Sequence, residues 1–259
     1  GEAKTRLIPA LGPVGAARLQ RTMTRRTLDV ARHAADLIDC DIEVRFVGGD
    51  ARRMRRWLGP GIRFTRQGGG DLGQRLHRAA DEGLASGAGK IVIIGADCPG
   101  VSAEDLQAAF IALETDDMVM GPAADGGYWL IGLRRSADVF GRIDWGTEDV
   151  FQQTLSSASR AGLSVHQLSM HADIDMPEDL QGLDARLIPD GPYLSVIIPM
   201  LNEAARITAA IESARSDGAE ILAIDGGSTD QSIAMADGAG AQVSQSVAGR
   251  AAQMNAGSA

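Results

Sequence analysis

With 259 residues, 44% of them hydrophobic and 23% charged, the chain has the make-up of an ordinary globular protein, with room for one large domain or two small ones. A net charge of −9 and an aromatic content of 4% argue against nucleic acid or an anionic membrane surface as partner. Cys40 and Cys98 stand far apart without metal-ligand spacing, and no apolar run nears the roughly 20 residues of a membrane span, so the reading is a reduced, cytoplasmic protein.

Gly1-Glu-Ala-Lys-Thr-Arg-Leu7 reads as a basic loop and as the middle of a motif, which implies a fragment. Lys4 supplies a point charge, Thr5 a hydroxyl and Arg6 a planar fork, the donor types that hold a phosphate. Leu19, Met23, Val30, Ala34 and Leu37 lie near helical spacing and predict an amphipathic helix over 16–38. The alternation over 42–47 predicts a strand, followed by a short helix over 52–58 and a short strand over 62–65. Gln67-Gly-Gly-Gly-Asp71 then lets backbone approach a ligand at Gly69 and Gly70, and Asp71 suits the start of a helix to about Leu84. A flexible loop with a helix cap explains that stretch equally well.

Lys90-Ile-Val-Ile-Ile-Gly-Ala-Asp-Cys-Pro-Gly100 is the stretch on which the fold turns. Four unbroken apolar residues predict a strand buried on both faces, as in the middle of a parallel sheet. Asp97 follows at its carboxyl end, where open α/β sheets bind ligands and where a carboxylate suits a divalent cation carrying a phosphorylated ligand. Ser102-Ala-Glu-Asp105 is a capping box that opens a helix through Leu113. A strand over 117–120 leads to Asp125-Gly-Gly127, a tight turn, and Tyr128 resumes as strand; Tyr128 and Trp129 could wall a sugar or base pocket, or the turn could be a plain hairpin. Thr147 is the expected cap of a helix to Ala161, and 164–168 a strand. His171-Ala-Asp-Ile-Asp-Met-Pro-Glu-Asp-Leu180 packs four carboxylates into seven positions. Pro177, Glu178 and Asp179 suit the first turn of a helix, which leaves Asp173 and Asp175 freer to bind a metal.

Strands alternate with helices, so the fold class is α/β with a mostly parallel sheet. Composition turns to Pro and Gly over 187–193, a linker between a first domain over 1–186 and a second unit over 194–259. In the second unit a strand over 195–199 precedes Asn202, the expected cap of a helix over 203–215. A strand over 220–224 ends in Asp225-Gly-Gly-Ser-Thr-Asp230, a strand follows over 242–247, and a helix begins near Gly249. The second unit is about half of a doubly wound domain.

Five motifs in order resemble the glycosyltransferase-A-like "transferase 1" family of the radical-SAM/selenodomain-associated, arsenosugar-biosynthesis type. They are Gly1-Glu-Ala-Lys-Thr-Arg-Leu7, Gly70-Asp-Leu-Gly-Gln-Arg75, Gly95-Ala-Asp-Cys-Pro-Gly100, Gly121-Pro-Ala-Ala-Asp-Gly-Gly-Tyr128 and Asp173-Ile-Asp-Met-Pro-Glu-Asp-Leu180. Ser195-Val-Ile-Ile-Pro-Met-Leu-Asn-Glu203, Asp225-Gly-Gly-Ser-Thr-Asp230 and Gly249-Arg-Ala-Ala-Gln-Met-Asn-Ala-Gly257 resemble the start of a family 2 glycosyltransferase of the "transferase 2" type. The first resemblance implies a Rossmann-like GT-A fold whose first, central strand would precede Gly1. It also implies a metal-dependent transferase that takes a nucleoside-diphosphate sugar and a small-molecule acceptor. On that reading Asp97 and Asp175 hold Mg or Mn, and Lys4 and Arg6 neutralise the leaving diphosphate. Thr5, Gly69, Gly70 and Asp71 line the nucleotide, and Gly126 and Gly127 face the donor sugar or acceptor. Asp125, or His171, is the general base. In the second unit Asp225 would contact the base, and the family's metal-binding Asp-x-Asp would fall beyond residue 259. The Lys-Thr-Arg-Leu and Asp-Met-Pro-Glu-Asp-Leu motifs also resemble guanylyltransferase-like nucleotidyltransferases, which release pyrophosphate. A non-catalytic nucleotide-binding or scaffold module is a further alternative, and a homo-oligomer is left open.

Overall fold

The computed structural model describes residues 4–181, 183, 194–215 and 219–257. They divide into two units. The larger comprises described residues among 4–7 and 19–183, and the smaller those among 8–18 and 194–257. The expected linker over 187–193 lies outside the described residues.

A 3-10 turn, Thr5–Leu7, runs straight into α1 (Ile8–Ile38), so helix begins earlier than the apolar spacing predicts. The helix breaks at Gly12, whose φ of 68° no ordinary side chain adopts easily, just before Pro13. In the larger unit, β1 (Glu43–Phe46) and β2 (Arg63–Arg66) pair in parallel on either side of α2 (Ala51–Leu58). α3 (Leu72–Ala85) carries the expected cap: the Asp71 carboxylate accepts from the Gln74 N–H, and the Gln74 side chain accepts from the Asp71 N–H. The Ser102–Asp105 capping box likewise opens α4 (Ala103–Ala112).

A second sheet is built from β3 (Ile91–Ile94), β4 (Met118–Pro122), β5 (Tyr128–Leu133) and β6 (Val165–Gln167), in spatial order β3-β5-β4-β6. β4 pairs with β6 in parallel, whereas β5 runs antiparallel to both β3 and β4. The expected place of β3 is therefore corrected. It is half-buried along its length and lies at one end of this sheet against an antiparallel partner, while β4 and β5 are the buried pair. Four consecutive apolar residues report two shielded faces, but they carry no information about the number or direction of neighbouring strands. Period-two alternation then sorts the core. Val119 and Leu130 pack with Leu106 and Ala109 of α4 and with Leu113 just after it, while Met118, Met120, Ile131 and Leu133 pack with Phe140, Phe151 and Ala158 on the other face.

Two further expectations about helix starts are corrected. α5 (Val150–Arg160) begins three residues after Thr147, whose hydroxyl instead donates to the Asp144 carbonyl at 2.8 Å. Pro177 opens only a 3-10 turn, Pro177–Leu180.

The smaller unit has an all-parallel sheet, β7 (Leu194–Met200), β8 (Ala219–Asp225) and β9 (Gln242–Gln245), with α6 (Ile207–Ala214), α7 (Ser232–Gly238) and α8 (Arg250–Gly257). Asn202 does not cap α6. Its Oδ1 accepts from the Thr229 N–H at 2.8 Å, which commits the side chain to the loop after β8 and leaves α6 to start at Ile207.

Leu130 is fully buried between α4 and Val119. Leu130→Ala is expected to cost the larger unit about 2–5 kcal/mol, seen as a lower denaturant midpoint by circular dichroism.

Candidate active site

The loop that follows β3 is tied into the sheet at both ends of its short course. The Gly95 N–H donates to the Trp129 carbonyl at 3.1 Å, and the Asp97 carbonyl accepts from the Ile174 N–H at 3.0 Å. This second bond sets Asp97 beside the 173–175 segment. The segment is shaped from below by Asp179, whose Oδ2 accepts from the N–H groups of Asp175 at 2.9 Å and Met176 at 2.6 Å. The expectation that Asp179 is structural agrees with this geometry.

Lys4 completes the group. Its backbone is left-handed, with φ of 55°, a conformation that an L side chain adopts at some cost. Leu7, fully buried, anchors the turn that follows. The result is a side chain only 5% exposed, whose ammonium lies 3.2 Å from Asp97 Oδ2 and 3.4 Å from Asp175 Oδ1. Arg6, largely exposed, reaches Asp175 Oδ2 at 2.6 Å. Two carboxylates from separate parts of the chain thus share one cation, and Asp175 has a second.

More acid lies close by. Burial, followed by the nearby Asp125 and Asp97 charges, pushes the Asp173 carboxyl above its ordinary value. Burial likewise drives the Cys98 thiol up to about 12, with Asp97 and Asp173 adding to the effect, so at neutral pH it is neither nucleophile nor thiolate ligand. Asp125 closes its own turn, accepting at Oδ1 from the Gly127 N–H at 2.9 Å. Gly126 has φ of 87°, and a Cβ there would lie 2.1 Å from the Glu148 carbonyl, so the position admits only glycine. Among the described residues no three His, Cys, Asp or Glu are placed to hold a metal by themselves. A hard cation here would need phosphate oxygens or water to complete its shell.

The other predicted residues lie apart from this group. Gly69 and Gly70 line an open groove of about 590 Å³ with Gln74, His77, Arg78, Asp81 and Glu82, and none of the clustered acids lines it. Arg78 spans the glycine loop, donating to the carbonyls of Gln67 and Gly69. Asp71 is occupied as a helix cap, and Thr5 is exposed in its turn. Tyr128 and Trp129 are core rather than pocket wall. Tyr128 meets Trp145 edge-on, burial pushes its phenol up, and the Trp129 indole donates to the Ser169 carbonyl at 3.1 Å. His171 is engaged with Asp105, Nε2 to Oδ2 at 3.1 Å. In the smaller unit Asp225 is fully buried. Burial would raise its carboxyl, but hydrogen bonds from Ser228 and Gly227 outweigh that and hold it below its ordinary value. The link between Asp105 and His171 left no trace in the sequence, because a capping box already accounts for Asp105.

A structure of a candidate nucleotide-diphospho-sugar transferase from Desulfovibrio desulfuricans G20 matches at 38% identity and a TM-score of 0.65, covering 71% of this chain and 80% of that one. This chain belongs to the nucleotide-diphospho-sugar transferase family. Residues 27–147 of the chain match a family described as uncharacterized proteins conserved in bacteria (DUF2064), and residues 195–258 match glycosyl transferase family 2. A phosphoenolpyruvate guanylyltransferase of Chloroflexus aggregans (strain MD-66 / DSM 9485) is 26% identical over 120 residues, which are 46% of this chain and 59% of that relative's own length. The Rv0371c protein of Mycobacterium tuberculosis H37Rv, solved in complex with manganese, is 22% identical at a TM-score of 0.39, too distant to bear on this chain. No described helix of the chain is long and apolar enough to cross a membrane.

The crowding of Asp173 has a testable sign. Its folded-state pKa is raised, so above the ordinary carboxylate range ionisation costs the folded state more than the unfolded, and stability falls as pH rises through that range. Asp173→Asn should raise the melting temperature at pH 7, and the gain should shrink towards zero below about pH 3.9, the ordinary Asp value.

Proposed function

We propose that the larger unit transfers a sugar from a nucleoside-diphosphate donor, with Asp97 and Asp175 holding a Mg or Mn ion and Lys4 and Arg6 receiving the diphosphate. One observation carries this reading: the Lys4 ammonium lies between the Asp97 and Asp175 carboxylates, so oxygens from two chain segments already converge on positive charge. The donor set suits a hard divalent cation, which takes one or two carboxylates and completes its shell with phosphate and water. Such an ion, when bound, would supply charge neutralisation at the diphosphate.

The chain's own groups do the rest. Lys4 and Arg6 stabilise negative charge that develops as the bond from the anomeric carbon to the diphosphate oxygen breaks. Asp125, oriented by the Gly127 N–H, takes the proton of the acceptor hydroxyl whose oxygen forms the new bond to that carbon. Gly69, Gly70 and Asp71 are assigned to the nucleotide side, with Thr5 beside the phosphates and Gly126 and Gly127 on the sugar or acceptor side. In the smaller unit, Asp225 shapes the loop after β8 by accepting from the Gly227 and Ser228 N–H groups, and the same reading assigns that loop to a nucleotide base.

The guanylyltransferase likeness favours a second reading, attack of a phosphorylated acceptor on the α-phosphate of a nucleoside triphosphate. Release of pyrophosphate from GTP or CTP, against release of nucleoside diphosphate from a sugar donor, separates the two.

Calorimetric titration tests the site itself. Asp97→Asn should weaken Mn-dependent binding of UDP- or GDP-sugars by about ten- to a hundredfold, with the melting temperature kept. Lys4→Gln should act in opposite directions on two ligands: tighter Mn binding without nucleotide, because the competing ammonium is gone, and weaker nucleotide binding with Mn present. Identical titrations for wild type and Asp97→Asn would remove the assignment.

A further inference from the structure

His171, the alternative general base of the sequence reading, takes no part in the function proposed above, yet its ring and backbone contact the start of α4, the Asp97 loop and the turn that carries Asp125. Its Nε2 faces Asp105 Oδ2 at 3.1 Å, and the same oxygen accepts from the Ser102 N–H at 2.9 Å at the start of α4. Its ring stands edge-on to Trp129 of β5, with centroids 4.9 Å apart and planes at 76°. Its Nδ1 lies beside Gly100, at the end of the Asp97 loop, where a Cβ would come within 3.2 Å. Its backbone bonds both ways to the turn that carries Asp125: the His171 N–H donates to the Pro122 carbonyl and the Ala124 N–H donates to the His171 carbonyl, each at 3.1 Å. Three residues further along, the Ile174 N–H makes its bond to the Asp97 carbonyl.

We propose that His171 is a positioning residue for the transferase site, acting through Asp105 and Trp129 to set the 169–175 segment so that Asp173 and Asp175 converge with Asp97 and Asp125. The reasoning is geometric. Asp97 and Asp175 already share the Lys4 ammonium, like charges gathered this closely repel, and a segment held only by its main chain would relieve that by moving apart. A ring pinned by a carboxylate on one side and an indole on another resists the movement. The side chain is mostly buried, at 20% exposure, and its contacts are with Asp105, Trp129 and Gly100, so it works through its neighbours. Supporting groups of this kind commonly change metal affinity by about ten- to a hundredfold when removed. The consequence for cation binding rests on the function proposed above; the consequence for the segment does not.

Two variants and two readouts test it in the intact chain. His171→Leu fills much of the same volume without the polar contact, while His171→Gln returns a donor near the Nε2 position. Hydrogen exchange of the peptide spanning 169–176 should accelerate in H171L, at Ile174 above all, and return close to wild type in H171Q. Mn affinity, read by electron paramagnetic resonance of the free ion, should fall about tenfold or more in H171L and recover in H171Q. Exchange equal to wild type in H171L, or equal loss in both variants alongside a common drop in melting temperature, would overturn the positioning role. If Mn affinity were the same in wild type and Asp97→Asn, the cation reading would fail instead, and the exchange comparison would still decide the part played by His171.

Discussion

The site depends on one ammonium. The Lys4 side chain is 5% exposed, and an ammonium group that deep is costly unless its charge is met. Asp97 and Asp175 meet it, and in doing so they bring together the end of β3 and a segment more than seventy residues later. The carboxylates themselves are 40% and 35% exposed, so the attraction is partly screened and its value to stability is modest. Its consequence is geometric instead. It assembles a set of oxygen donors around positive charge beside the end of β3, the place to which the proposed function assigns a diphosphate and its cation.

Local chemistry in the sequence was a good guide wherever the chain satisfies itself within a few residues. The caps at Asp71 and Ser102 rest on an oxygen three positions from an N–H, and both are present. Thr147 and Asn202 have the same residue character and neither caps a helix, because each finds a different partner. Thr147 turns back to Asp144, and Asn202 reaches across to Thr229, 27 residues away. A side chain that can cap can equally hold a loop, and only tertiary structure chooses. β3 makes the same point for strands. Ile91 to Ile94 read correctly as a strand, but direction and neighbours come from β5, which returns from a hairpin and pairs antiparallel.

For the site, spacing pointed to single residues and said nothing of partners. Asp97, Asp175, Lys4 and Arg6 were legible as types suited to a phosphate and a cation, and the structure brings these four together. Gly69 and Gly70 were legible as backbone open to a ligand, and they line a separate groove. Asp105 and His171 were legible only as a cap and a lone histidine. Their bond joins residues 66 apart, and no local pattern encodes a contact of that range.

Asp97 and Asp225 show how far a shared pattern can diverge. Both end or follow a strand in a run of apolar residues, and both precede small residues and a helix. Asp225 is fully buried and its oxygens accept from the N–H groups of Gly227 and Ser228, so its charge is spent inside its own loop. The side-chain oxygen of Asp97 meets a lysine from a distant turn and remains 40% exposed. A carboxylate satisfied by backbone is fixed and has little left to offer a ligand directly. One satisfied by another side chain can exchange that partner for another cation. It is this difference in partner that makes Asp97 the stronger candidate for chemistry and Asp225 the architect of a loop.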